Sequence, residues 1–243
     1  MKSQVSIIFA TGSPVPARSA KAATSTIPIV FAYGGDPVGD GLVESFSRPG
    51  GNVTGATFIG TALTSKRMEA LREILPHVSD VGLLVNPKGT LADVQIKEAK
   101  AAAQAFGLTL HVVNANSESE FDEAFATMSR LKVGAFLAST DPLFGLGGRG
   151  LHIAKALPYG IPAICNGRVD AVAGGLVSYG ANLSDTWRQA GVYVGRILRG
   201  EKPSELPVVQ PTRFELVINL KTAKLLGIEV PPTLLSRADE VIE

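Results

Sequence analysis

A chain of 243 residues, 45% hydrophobic and 19% charged, is long enough to bury a large core in one domain or two lobes. A net charge of +1 and an aromatic content of 6% argue against a field that attracts nucleic acid and against a base-stacking surface. The single Cys165 excludes an intrachain disulfide, the three histidines are scattered without zinc spacing, and no apolar run approaches membrane-spanning length.

In chain order, Val5 to Ala10 is a short apolar strand, and Met1 to Gln4 before it carries none of the basic, apolar and small-residue pattern of a secretory leader. Thr11-Gly12-Ser13-Pro14 supplies turn and cap chemistry for an Ala-rich helix over 15–23. Ile27 to Ala32 is the next strand, with the exit loop Tyr33-Gly34-Gly35-Asp36-Pro37, and Gly39 to Ser47 is expected to form a short helix. Val53 to Phe58 is extended again. Met68, Leu71, Ile74 and Leu75 fall at helical spacing within 64–75, and Pro76 stops that helix. A strand over 81–85, a helix over 90–106 ending at Gly107 and a strand over 108–113 follow. Ser117 to Glu120 matches a capping box and opens a helix through Leu131, before a strand over 133–138. The remainder reads as a helix over about 149–158, a strand over 162–165, an extended stretch over 175–179 and a long helix over 185–198 capped by Ser184. A linker-like break over 201–207, a strand over 214–218, a helix over 220–226 and a short final helix after Pro231-Pro232 complete it.

One pattern is written twice. Ala10-Thr11-Gly12-Ser13-Pro14 and Ala138-Ser139-Thr140-Asp141-Pro142 each close an apolar strand. Ile27-Pro28-Ile29 then matches Ile161-Pro162-Ala163, and Gly41-Leu42-Val43 matches Gly175-Leu176-Val177. Ala10 and Ala138 are 128 positions apart and Pro28 and Pro162 are 134 apart, so one six-residue insertion reconciles the copies. A repeat this long implies two similar lobes. Continuous apolar strands alternating with helices imply α/β lobes with parallel sheets, whose ligands sit beyond the carboxyl ends of the strands. That places Thr11, Ser13 and Asp36 on one lobe, and Ser139, Thr140, Asp141 and Asn166 on the other, as candidate ligand-binding residues facing a cleft. Free N–H groups and hydroxyls at the first motif suit an anion, and Asp141 suits an ammonium. Each also reads as ordinary turn or cap chemistry: Ser13 and Asp141 as caps, Asp36 as a turn before Pro37, and Arg168 as a solvated rim residue.

Gly145-x-Gly147-x-x-Gly150 matches the dinucleotide fingerprint in letters, with Asp170 twenty residues beyond it. Six residues separate it from the strand it should follow directly. No nucleophile, base and orienting group stand together, and Cys165 ends an apolar strand where it serves as core.

Residues 22–31, Gly35-Asp36-Pro37-Val38, Arg48 to Gly55, Gln210 to Lys224 and the closing Pro231 to Glu243 resemble the substrate-binding proteins of one ABC-importer family, over essentially the whole chain. Relatives in that family bind amino acids such as tryptophan and tyrosine. The resemblance implies an α/β fold of the type I periplasmic-binding-protein kind: two Rossmann-like lobes with parallel sheets joined by a three-segment hinge. The crossings are expected at Asn52–Gly55, Ser178–Gly180 and Leu206-Pro207. Lobe 1 is then 1–54 plus 181–205, and lobe 2 is 55–180 plus 206–243. Tyr179, on a crossing, would cover an apolar ligand group or pack the hinge. Against the family's pattern the chain starts inside lobe 1, so that lobe is expected to be incomplete and its bare sheet edge to favour self-association.

The implied function is the solute-binding component of an ABC importer. It is not an enzyme, needs no cofactor or metal, and has a small-molecule ligand and an ABC permease as partners. Its implied location is periplasmic or in the cell envelope, although the chain as written shows no signal peptide. A ligand-sensing effector domain of a regulator and a nucleotide-dependent α/β enzyme are the two alternatives.

Overall fold

The computed structural model describes residues 5–145 and 150–243. By its internal contacts the chain divides into two compact units, residues 1–59 with 181–213 and residues 60–180 with 214–243. Two of the three boundaries, after 59 and after 213, fall later than the sequence placed them, and the third, between 180 and 181, is the same. The strand at Val53 stays paired with its neighbour through Thr57, and Val209 N–H donates to Gly55 O at 2.9 Å, which keeps 206–213 with the first unit.

The first unit is a three-stranded parallel sheet of β1 (Ile8–Thr11), β2 (Ile29–Tyr33) and β3 (Val53–Thr57), in that order. All five residues of β2 are buried, so the strand has two apolar faces rather than alternating polarity. Side-chain parity sorts them. Ile29, Phe31 and Tyr33 pack with Ala17 of α1 (Pro14–Ala23), while Val30 and Ala32 pack with Ala190, Tyr193 and Ile197 of α7 (Leu183–Leu198). β1 is an end strand, and Phe9 on it is 46% exposed beside Trp187.

Among the described residues the second unit holds seven strands: β4 (Asp80–Val85), β5 (Thr109–Asn114), β6 (Ala135–Ala138), β7 (Ala163–Cys165), β8 (Val177–Ala181), β9 (Phe214–Asn219) and β10 (Glu240–Ile242). Their order is β10-β9-β8-β7-β6-β4-β5, and every pairing with resolved register is parallel. On one face Val81, Leu83, Val85, Ala135 and Leu137 meet Met68 and Leu71 of α2 (Thr64–Ile74), together with Ala99 and Ala102 of α3 (Ala92–Ala105). On the other, Leu84 and Phe136 meet Phe121 and Phe125 of α4 (Phe121–Arg130) and Ile153 of α5 (Leu151–Ala156). Three short helices complete the unit: α6 (Arg168–Val172), α8 (Leu220–Leu225) and α9 (Pro232–Leu235). The fold is therefore α/β with parallel sheets, as the sequence implied.

Several local expectations are corrected. Residues 39–47 form turns rather than a helix. Gly41 takes φ +70°, and the Lys21 ammonium donates to the carbonyls of Gly41 and Leu42, so those groups serve a tertiary contact. Ser184 is not the cap of α7. Asn182 is, its side chain accepting from Asp185 N at 3.0 Å. Ser117 makes no capping bond, and Glu120 reaches past it to the Asn116 N–H at 2.8 Å. Neither α6 nor β10 was anticipated. Both are short, and β10 forms only by parallel pairing with β9.

Candidate functional site

In the second unit the strand ends carry a polar cluster. β6 delivers Ser139, Thr140 and Asp141, and β7 delivers Asn166, two residues before α6. The cluster is held from behind by residues that no motif picked out. Gln95 of α3, itself 4% exposed, grips the Thr140 peptide from both sides. Its Oε1 accepts from Thr140 N at 2.6 Å, and its Nε2 donates to Thr140 O at 3.1 Å. Asp141 Oδ1 accepts from Leu143 N at 2.9 Å and from Asn86 Nδ2 at 3.1 Å, so this carboxylate both forms a turn and ties two strand-end loops together. Gly89 lies so close to Asp141 Oδ2 that a Cβ there would overlap it. Asn166 Nδ2 donates to Ala138 O at 3.0 Å and Ser139 O at 3.4 Å.

These bonds leave specific groups unspent. The hydroxyls of Ser139 and Thr140, Asp141 Oδ2 and Asn166 Oδ1 have no hydrogen-bond partner among the described residues. Two hydroxyl donors beside a carboxylate and an amide oxygen can satisfy a small solute that carries both an anionic and a cationic group.

Arg67 lies beneath this surface, 3% exposed. Its Nε donates to Tyr179 O at 2.9 Å, its Nη1 to Gly60 O at 2.9 Å and its Nη2 to Asn166 O at 3.3 Å. Among the described residues no carboxylate bonds to it directly, and burial lowers its pKa to about 10. Asp170 of α6 is also buried. Desolvation raises its carboxyl to about 6, opposed by the nearby Arg67 charge and by a hydrogen bond from the Asn166 backbone. Gly180 completes the packing, since a Cβ there would overlap the Asn166 carbonyl oxygen.

Tyr179 stands apart from the cluster. Its ring stacks on Phe214 at 6.0 Å and lines a cavity of about 230 Å³ with Lys66, Glu73, Leu216, Leu234 and Arg237. Arg168 forms a two-pronged ion pair with Glu240, at 2.5 and 2.8 Å, which anchors β10. Cys165 is buried and its thiol is pushed well above its ordinary value by desolvation, as suits core. In the dinucleotide-like stretch, positions 146–149 lie outside the described residues.

In the first unit each candidate makes a local bond. The Thr11 hydroxyl donates to Ala32 O at 3.0 Å, and Ser13 Oγ accepts from Val15 N at 3.4 Å as the cap of α1. Pro14 and Pro16 have no N–H, so the first turn of α1 offers fewer free donors to an anion than an ordinary helix start. Asp36 Oδ1 accepts from Val38 N at 3.0 Å, and its side chain is exposed. Tyr33 shapes the same loop: its buried hydroxyl donates to Asp40 Oδ2 at 2.7 Å, and burial holds the phenol far above its ordinary pKa. Among the described residues no group of three His, Cys, Asp or Glu could hold a metal ion, and no helix is long and apolar enough to cross a membrane.

Arg67 and Gln95 belong to no sequence motif, yet both leave a trace. Each is a polar residue on a buried helix face, at i, i+4, i+7 with apolar neighbours: Arg67 with Leu71 and Ile74, Gln95 with Ala99 and Ala102.

Known proteins agree with this architecture. A tyrosine-binding protein of Clostridioides difficile is 25% identical over 223 residues, 92% of this chain and 63% of that protein, so the chain spans less than two thirds of this curated relative. The crystal structure of a conserved domain protein from Vibrio cholerae superposes with a TM-score of 0.88 at 28% identity, covering 97% of this chain and 78% of that one. An ABC domain from Streptococcus pneumonia, in complex with L-Trp, gives 0.86 at 27% identity, covering 98% and 79%. Over residues 1–242 the sequence matches the family described as ABC transporter substrate binding protein, and the chain belongs to that family.

Proposed function

We propose that this protein is the solute-binding component of an ABC importer. It captures a small amino acid or related organic acid and presents it to a membrane permease in the cell envelope. The family supports ligand capture rather than catalysis, and relatives named for tyrosine and solved with L-Trp point to the amino-acid class. The observation that carries the reading is the set of unspent groups at the second unit's strand ends, fixed from behind by Gln95, Asn86 and Arg67. In this reading the hydroxyls of Ser139 and Thr140 donate to a ligand carboxylate, and Asp141 Oδ2 and Asn166 Oδ1 accept from its ammonium. Thr11, Ser13 and Asp36 of the first unit and Tyr179 are the remaining proposed contacts. The regulator and nucleotide-enzyme readings are not favoured by any of these relatives.

A thermal-shift screen of the twenty L-amino acids with NAD and ATP tests this. One or a few amino acids, aromatic ones first, should raise the melting temperature, since a ligand at a hundred times its Kd adds about 2.7 kcal/mol. Asp141→Asn keeps the turn-forming oxygen but loses the charge, so it should weaken that binding about tenfold or more. Stabilisation by NAD or ATP alone, or unchanged affinity in the Asn variant, would overturn the reading.

A further inference from the structure

We propose that Arg67 is the positioning residue of the strand-end site, one guanidinium that fixes the Asn166 loop to both neighbouring chain crossings. The inference rests on the reading of that site given above. Gly60 is the first residue of the second unit, and Tyr179 lies two residues before the chain returns to the first at Ala181. Their carbonyls and that of Asn166 come from three separate segments and converge on one side chain, at 2.9, 2.9 and 3.3 Å.

The choice of residue follows from geometry. A planar fork with five N–H donors can meet three carbonyls in one plane, whereas a lysine ammonium on a flexible stem cannot hold all three. The cost of placing it there is high. A guanidinium 3% exposed, with no carboxylate bonded to it among the described residues, sits among the buried residues of a helix that include Met68, Leu71 and Ile74. A helix that needed only packing would carry an apolar side chain at this position.

What the cost secures is the Asn166 peptide. Its C=O is held by Arg67, and its side-chain amide donates to Ala138 O and Ser139 O. Asn166 Oδ1 therefore has one direction in which to face a ligand, and the Ser139 backbone is steadied through the same amide. Arg67 touches neither free hydroxyl nor the free carboxylate oxygen, so it acts through Asn166.

The test uses the full chain, L-tyrosine and L-tryptophan as probes, and three variants. Arg67→Lys and Arg67→Met should weaken binding of whichever probe the wild type takes by about tenfold or more. In the absence of either probe, both should speed amide hydrogen exchange in peptides covering 57–61, 164–168 and 177–181, and leave β5 and α4 unchanged. Leu71→Ala loosens the same helix without touching the carbonyls, so it should lower stability yet keep affinity within about twofold of wild type. The proposal fails if Arg67→Lys matches wild type in exchange, or if Leu71→Ala costs as much affinity as Arg67→Lys. Should the wild type bind neither amino acid, the solute reading falls and the exchange pattern alone decides: loosening confined to the three peptides supports the clamp, and uniform or absent loosening overturns it.

Discussion

Two buried titratable groups in the second unit pull stability in opposite directions over the same pH range. His152 on α5 is 1% exposed, faces the rings of Phe121, Phe136 and Phe144 at 5.6–6.5 Å, and has no partner for Nδ1. Burial lowers its pKa from 6.5 to about 4. The unfolded chain takes up the proton first, so the stability His152 confers is complete above pH 6.5 and is lost as pH falls towards 4, a loss of about 3 kcal/mol. Asp170 behaves inversely. Its pKa is raised from 3.8 to about 6, so its contribution is complete below pH 3.8 and is lost as pH rises through 6, again about 3 kcal/mol. Between pH 4 and 6 the two contributions nearly cancel in the wild type. Each single variant should expose the other. Phe at position 152 suits the aromatic cage, and Asn at 170 has nearly the same shape as Asp and cannot ionise. Urea unfolding of wild type, His152→Phe and Asp170→Asn at pH 4, 5, 6 and 7 reads the difference, because the remaining groups titrate alike in all three. Relative to wild type, His152→Phe should lose about 3 kcal/mol between pH 4 and 6.5, and Asp170→Asn should gain about as much between pH 4 and 6. A variant-minus-wild-type difference that stays flat across this range would refute the reasoning for that residue.

Two further outcomes follow from the backbone. Gly180→Ala drives a Cβ into the Asn166 carbonyl, backbone against backbone, and should cost about 3 kcal/mol in urea unfolding as well as weakening amino-acid binding. A loss under about 0.5 kcal/mol would mean that the loop yields freely. Lys132 follows α4 at φ +54°, a left-handed position that glycine occupies without strain, so Lys132→Gly should raise stability by about 1 kcal/mol, read as a higher urea midpoint.

Much of this protein is legible in its residues because burial on both faces leaves a strong mark. β2 and residues 81–85 of β4 are continuous apolar runs, α4 places Phe121, Phe125 and Met128 on one stripe, and glycines mark helix ends at 107, 160 and 200. These local preferences agree with the tertiary fold, so strand, helix and strand-end loop could be placed from the sequence, and with them Ser139, Thr140, Asp141 and Asn166.

The sequence could not say which polar groups remain free. Ser13 and Asp36 resemble Ser139 and Asp141 in their local surroundings, and each aspartate keeps one carboxylate oxygen without a partner among the described residues, yet Ser13 caps α1 while the Ser139 hydroxyl is unbonded, and only Asp141 is also tied to a distant loop through Asn86. Such bonding is set by partners far along the chain: Gln95 lies 45 positions from Thr140, and Arg67 lies 99 from Asn166 and 112 from Tyr179. β10 forms because β9 offers it an edge, and Asp170 titrates near 6 because α6 carries it out of water. The amino-acid order sets periodicity, caps and the two-lobed repeat, all short-range or statistical properties of the chain. Only the tertiary structure brings a buried guanidinium and an amide beneath one strand end, because hydrogen bonding and desolvation depend on distance in space rather than along the sequence.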